Sequence, residues 1–203
     1  MFVWLAAALT EAWKSTSTVE IVAAVLAVAY LLFAIRQQQS CWVAAFVSSG
    51  LYVWVLFAAR LYMESLLQMF YAAMAGYGFF QWRHRKNGAD LKVTRWALSR
   101  HVWALLGVVL LSFCTSILLR QFTAAAWPFL DSLVTWSSVY TTYLVTRKVY
   151  ENWYWWLVID SVSLCLYLTR GLYLTVLLFA LYIVLIFVGM REWRRTLPAY
   201  AAA

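Results

Sequence analysis

Apolar runs of 17 to 22 residues follow one another along the chain, each closed off by charged or turn-forming residues. There are seven: residues 19–35, 41–59, 61–82, 102–119, 128–146, 153–169 and 172–190. A helix needs about 20 mostly apolar residues to cross a bilayer, so the runs predict seven membrane-spanning helices. Residues 1–18 precede the first run and read as a short external segment, an interfacial helix anchored by Trp4 and Trp13. No basic flank stands before the apolar stretch at the N-terminus and Glu11 follows it, which is not the layout of a cleavable signal peptide.

Composition agrees with a membrane protein. Of 203 residues, 66% are apolar and 12% charged, with mean hydropathy +0.76, whereas a soluble domain carries roughly a quarter charged residues. Seven spans leave no room for a soluble catalytic domain. Cys41, Cys114 and Cys165 begin or lie within apolar runs and read as packing residues rather than disulfides. The net charge of +8 is a positive-inside bias and not a nucleic-acid footprint. Lys14, Arg60, Arg120 and Arg170 fall on one side, and the other twelve basic residues fall on the opposite side. This asymmetry predicts an external N-terminus and a cytoplasmic C-terminus.

Shifted by 111 positions, the first three spans fall on the last three without a gap. Arg36 meets Arg147, Trp42 meets Trp153, Leu61-Tyr62 meets Leu172-Tyr173, Tyr71 meets Tyr182, Gly78 meets Gly189, and Trp82-Arg83 meets Trp193-Arg194. One extra span separates the copies, so both keep the same orientation. That is a parallel repeat about an axis along the membrane normal, an arrangement found in some transporters, with a cavity between the halves near mid-bilayer. The organisation expected is an external segment (1–18), a three-helix bundle (19–86), a basic cytoplasmic loop with a linker helix (87–127), a second bundle (128–195) and a tail (196–203).

Polar residues inside the runs lie on helical stripes. Asp131, Thr135, Ser138 and Thr142 share one face of the fifth span; Trp153, Trp156, Asp160, Ser163 and Tyr167 share one face of the sixth; Glu64, Gln68 and Tyr71 share one face of the third. Ionisable and amide groups at membrane depth face a cavity or each other, so the stripes predict a common pocket. Ser and Thr also bond their own backbone carbonyls, Trp153 suits an interfacial position, and Glu64 is near enough to an end to snorkel. Glu20 and Asp131 occupy equivalent first-turn positions, where carboxylates cap helices or gate a pathway. No Lys or Arg lies in the core of a span. Aromatic faces with carboxylates favour a flat cationic or neutral aromatic solute over an anion.

Enzyme chemistry finds no support. His84 and His101 have no metal-ligand partners at suitable spacing, no phosphate-binding glycine loop is present, and no nucleophile–base pair lies at depth. Neither a catalytic residue nor a metal or cofactor is expected. A retinal protein would need a lysine inside the last span, and Lys14, Lys86, Lys92 and Lys148 all lie at or beyond span ends. A non-transporting scaffold or sensor with the same cavity is the alternative class.

Residues 61–68, Leu-Tyr-Met-Glu-Ser-Leu-Leu-Gln, and residues 77–82, Tyr-Gly-Phe-Phe-Gln-Trp, resemble the first half of the PnuC family of vitamin transporters. The second half is closer: Asp131-Ser132, Thr146-Arg147-Lys148, Glu151-Asn152-Trp153-Tyr154-Trp155-Trp156, residues 171–175 and Gly189 to Trp193 follow the family's order. The resemblance covers residues 18–195. It implies an all-α, SWEET-like 3+1+3 fold, a homotrimer in the bacterial cytoplasmic membrane, and facilitated diffusion of an unphosphorylated vitamin, usually nicotinamide riboside, trapped by a cytoplasmic kinase. The family's paired tryptophans and the polar residue one turn on map to Trp153, Trp156 and Asp160, and its glutamine maps to Gln68. Asp160 stands where some members carry Asn, and related members carry thiamine or riboflavin. The site expected from these lines has the ring on Trp156 with Trp153 or Trp136 opposite, and Asp160, Gln68 and Ser138 reading polar groups. Glu64, Thr135, Ser163 and Tyr167 complete the candidates.

Overall fold

The computed structural model describes residues 17–58, 62–83, 91–122, 127–169 and 173–197. Trp4 and Trp13 of the external segment, His84 and the end of the C-terminal tail lie outside the described residues. Seven helices are described: α1 (Thr18–Ile35), α2 (Ser40–Ala58), α3 (Tyr62–Arg83), α4 (Leu98–Phe122), α5 (Pro128–Thr146), α6 (Asn152–Thr169) and α7 (Tyr173–Thr196). Most ends fall within two residues of the apolar runs. However, α4 starts at Leu98 and α7 continues to Thr196, because backbone hydrogen bonding is indifferent to where charges begin and arginine stems lie along a helix with their heads in water.

By length and composition, α1, α2, α4 and α7 are apolar enough to cross a membrane. The three other helices, α3, α5 and α6, are those carrying the polar stripes. Their lower hydropathy is what a helix acquires when one face serves a polar interior.

Local signals explain the ends. A capping box opens α1, where the Glu20 backbone N–H donates to Ser17 Oγ (3.2 Å) and the Ser17 N–H donates to Glu20 Oε2 (2.6 Å). Of the two roles open to Glu20, the structure therefore shows capping. Pro128 opens α5 from its first turn. Both α1 and α5 end in a Schellman turn. Gln37 N–H donates to Ala34 O (3.0 Å) and Gln38 N–H to Phe33 O (2.9 Å), and Lys148 N–H donates to Val145 O (3.0 Å) and Val149 N–H to Leu144 O (3.0 Å). The left-handed residue of such a turn is usually glycine, yet here it is Gln37 (φ 55°) and Lys148 (φ 49°).

In each half the middle helix packs on both neighbours, α2 on α1 and α3, and α6 on α5 and α7, while α4 lies along α5. The halves meet through α3 with α5 and α1 with α7, two contacts exchanged by the 111-residue repeat. In the first half Trp42 lies on Gly78 and meets Trp82 edge-on (5.3 Å, 86°); in the second Trp153 lies on Gly189 and meets Trp193 edge-on (5.4 Å, 89°). The bundles then exchange hydrogen bonds. Trp82 Nε1 donates to Thr146 O (3.2 Å) and Val145 O (3.3 Å), and Trp193 Nε1 donates to Ala34 O (3.0 Å). Between them Lys148 Nζ donates to Gln37 Oε1 (3.2 Å) and sits 4.5 Å above the Trp82 ring. The basic end of the molecule is thus closed on the repeat axis.

One expectation needs correction. Cys41 is buried, but Cys114 and Cys165 are exposed. Hydropathy cannot tell a lipid-facing from a core-facing position, because a small thiol is as compatible with hydrocarbon as with a protein interior.

Candidate functional site

Asp160 is the ninth residue of α6, about 12 Å along the axis from the helix start. It is 6% exposed, and among the described residues no hydrogen bond or ion pair reaches its carboxylate. The carboxylate lies close enough to Tyr71 on α3 and Tyr182 on α7 to act on both phenols electrostatically. The Tyr71 hydroxyl lies beside the Ser138 side chain on α5, and Tyr167 is also within electrostatic reach of Tyr71. Residues from α3, α5, α6 and α7 therefore converge at mid-height, the level at which the parallel repeat predicts a pocket.

Along α6 the face survives as spaced. Trp156 is half-buried one turn before Asp160 against the aromatic core, and Ser163 is buried one turn after it. Tyr167 follows, its ring 5.2 Å from that of Phe179. Gln68 is half-buried one turn from Tyr71. Glu64 lies on α3, but its side chain is outside the described residues.

Three candidates are held elsewhere. Trp153 is 2% exposed and is engaged by Gly189 and Trp193 at the core. Trp136 Nε1 donates to Thr115 Oγ1 on α4 (3.3 Å), which turns the indole toward the linker helix. Thr135 Oγ1 donates to Asp131 O one turn back (2.9 Å), the intrahelical bond open to any hydroxyl in a span.

Tyr71 and Tyr182 were absent from the candidate set, although the repeat aligned them and Tyr71 lay on the α3 stripe. The Glu151-Asn152 pair has a structural role that composition gives no hint of. Glu151 Oε2 accepts the Trp96 backbone N–H (3.2 Å) and lies 3.9 Å from His101 Nε2. Asn152 Nδ2 donates to Val149 O (2.6 Å). Because indole only donates, Trp155 Nε1 at 3.3 Å makes His101 Nδ1 the acceptor. Together with the Thr94–Val149 bridge, these contacts fasten the segment before α4 to the turn between α5 and α6.

The family model described as nicotinamide mononucleotide transporter matches residues 17–195. The chain belongs to this transporter family. A relative within it, the nicotinamide riboside transporter PnuC of Escherichia coli (strain K12), is 29% identical over 68% of this chain and 69% of its own length. The riboflavin/roseoflavin transporter RibM of Streptomyces davaonensis is 26% identical, over 86% of this chain and 83% of its own. A crystal structure of the vitamin B3 transporter PnuC superposes with a TM-score of 0.73, covering 96% of this chain and 90% of that one at 20% identity. That likeness shows the seven-helix fold expected from the repeat. As a family member, the chain is a multi-pass membrane vitamin transporter.

Proposed function

We propose that this transporter carries unphosphorylated nicotinamide riboside by facilitated diffusion into the cytoplasm, where a kinase traps the product. The supporting observation is the buried Asp160 carboxylate at mid-height among aromatic side chains, unpaired among the described residues. Such a group is costly in hydrocarbon without a partner, and a pyridinium ring supplies both the opposite charge and a face for stacking and cation–π attraction. In this reading Trp156 is the platform, since Trp153 and Trp136 are engaged elsewhere. Gln68, Ser138 and Ser163 bond the ribose hydroxyls and carboxamide, Tyr167 lines the route beyond them, and Thr135 and Glu64 lie along its approach. The family description speaks of a mononucleotide, but a phosphate needs cationic partners at depth. Among the described residues every Lys and Arg lies at a helix end or in a connection.

Isothermal titration of the full-length protein with nicotinamide riboside, thiamine and riboflavin tests this. Binding of nicotinamide riboside alone supports the reading, and binding of thiamine alone keeps the cation site but moves the substrate. Nicotinamide riboside binding unaffected by Asp160→Asn overturns the charge argument. Binding without uptake into liposomes would leave the sensor or scaffold alternative.

The same proposal includes an external N-terminus, with the basic end cytoplasmic, and a homotrimer, the latter resting on family resemblance. Protease accessibility of a C-terminal tag in sealed vesicles reads the first, and the mass of the protein in nanodiscs reads the second.

A further inference from the structure

A groove of about 530 Å³ lies at the basic end of α7, away from Asp160. Phe187 and Met190 form its apolar part; Arg191, Arg194 and Arg195 follow on the same stripe of α7 at spacings of three and four. Tyr150 and Tyr154 form the opposite wall, their rings packed edge-on at 5.7 Å. A further guanidinium, that of Arg95, sits 5.0 Å above the Tyr150 ring, and Arg194 acts on the same phenol electrostatically. Arg195 shares its charge with Glu192 (2.8 Å). Arg191 and Arg194 form no ion pair among the described residues.

We propose that this groove binds an anionic phospholipid, its phosphate on Arg191 and Arg194 beside the Tyr154 hydroxyl and one acyl chain along the outer face of α7. Three observations select a lipid. The groove straddles the level on α7 where apolar residues give way to charged ones, which is where a headgroup meets its chains. Its apolar part continues along α7 through the exposed Val184 and Leu181, a path a soluble phosphate would not use. Two arginines without carboxylate partners among the described residues, backed by phenols, offer the planar donors that a phosphodiester accepts. Ile186, Gly189 and Trp193 on the inner face of the same turns pack into the core, so an occupant would brace the helix that Trp193 ties to Ala34. The proposal does not depend on which vitamin is carried.

Native mass spectrometry of the full-length protein in mixed phosphatidylglycerol and phosphatidylcholine tests it. The wild type is expected to retain phosphatidylglycerol about tenfold over phosphatidylcholine, with Arg191→Gln/Arg194→Gln falling to about twofold or less. Arg147→Gln, an exposed basic residue at the same end, is expected to keep the preference. An equal loss in Arg147→Gln means a diffuse charge effect and overturns the site, as does unchanged retention in the double variant. If the double variant fails to fold, photoactivatable phosphatidylglycerol on the wild type decides: labelling centred on residues 187–195 supports the site, and labelling spread over the basic end overturns it. Equal thermal stabilisation by inorganic phosphate alone would also overturn a lipid occupant.

Discussion

Trp153 and Trp156 stand three positions apart in one motif, yet the structure separates them. Trp153 lies on Gly189, where no side chain could fit, and its indole is spent on the core; Trp156 is half-buried one turn from Asp160. A Cβ at Gly189 would collide with the Trp153 ring, so Gly189→Ala is expected to destabilise the protein by about 1–3 kcal/mol, the scale of overpacking a core. A thermal unfolding series would show it, with Gly50→Ala, where the added carbon meets nothing within 4 Å, as the unaffected control. Trp156→Ala should weaken substrate binding by about 1–3 kcal/mol, the scale of a lost stacking platform. Asp160→Asn should lower affinity for a cationic vitamin and leave riboflavin untouched, as read by titration calorimetry. The α6 stripe was legible because a helix of known period places Trp156, Asp160 and Ser163 on one side. What removed Trp153 from it is a glycine from another helix, which no local pattern announces.

The two Schellman turns and the tryptophan seam make the ends of α1 and α5 more than connections. Each turn holds a non-glycine residue in the left-handed region, where strain of about 1–3 kcal/mol is tolerated only if the surroundings hold it. The side chains there are the two partners of the Lys148–Gln37 bond across the axis. Trp193→Phe removes the indole donor to Ala34 O while keeping the ring; Ala34 O keeps the Gln37 N–H, so the cost is that of one lost hydrogen bond, about 0.5–1.5 kcal/mol. Trp82→Phe should cost less, because Trp82 Nε1 divides one proton between two longer bonds, 3.2 and 3.3 Å. Chemical denaturation of the pair in detergent would rank them. Helix positions were readable from apolar run length alone, since a span must satisfy its backbone internally. The cross-bundle bonds were not readable, because each joins residues over sixty positions apart in sequence.

Two three-helix bundles repeated about an axis, with the Asp160 carboxylate buried at mid-height and the basic end closed, form an arrangement suited to alternating access by rocking of the bundles. Opening toward the basic end must break the Lys148–Gln37 contact and the tryptophan bonds. A short bis-maleimide bridging Gln37→Cys and Lys148→Cys, on a background with Cys41, Cys114 and Cys165 replaced, should therefore abolish uptake in proteoliposomes while the unbridged double variant transports. Uptake that persists with full cross-linking would sink the rocking motion at this end.

Spans, repeat, basic asymmetry and the polar faces of α3, α5 and α6 were all present in the amino-acid order. Each follows from a local rule: bilayer thickness, helical period, or the cost of charge in hydrocarbon. The convergence of Tyr71, Ser138, Asp160 and Tyr182, the burial of Trp153 and the turn of Trp136 toward Thr115 came only from the fold. These depend on how helices rotate about their own axes, and that rotation is set by the close fit of residues distant in sequence, such as Trp42 on Gly78 and Trp153 on Gly189.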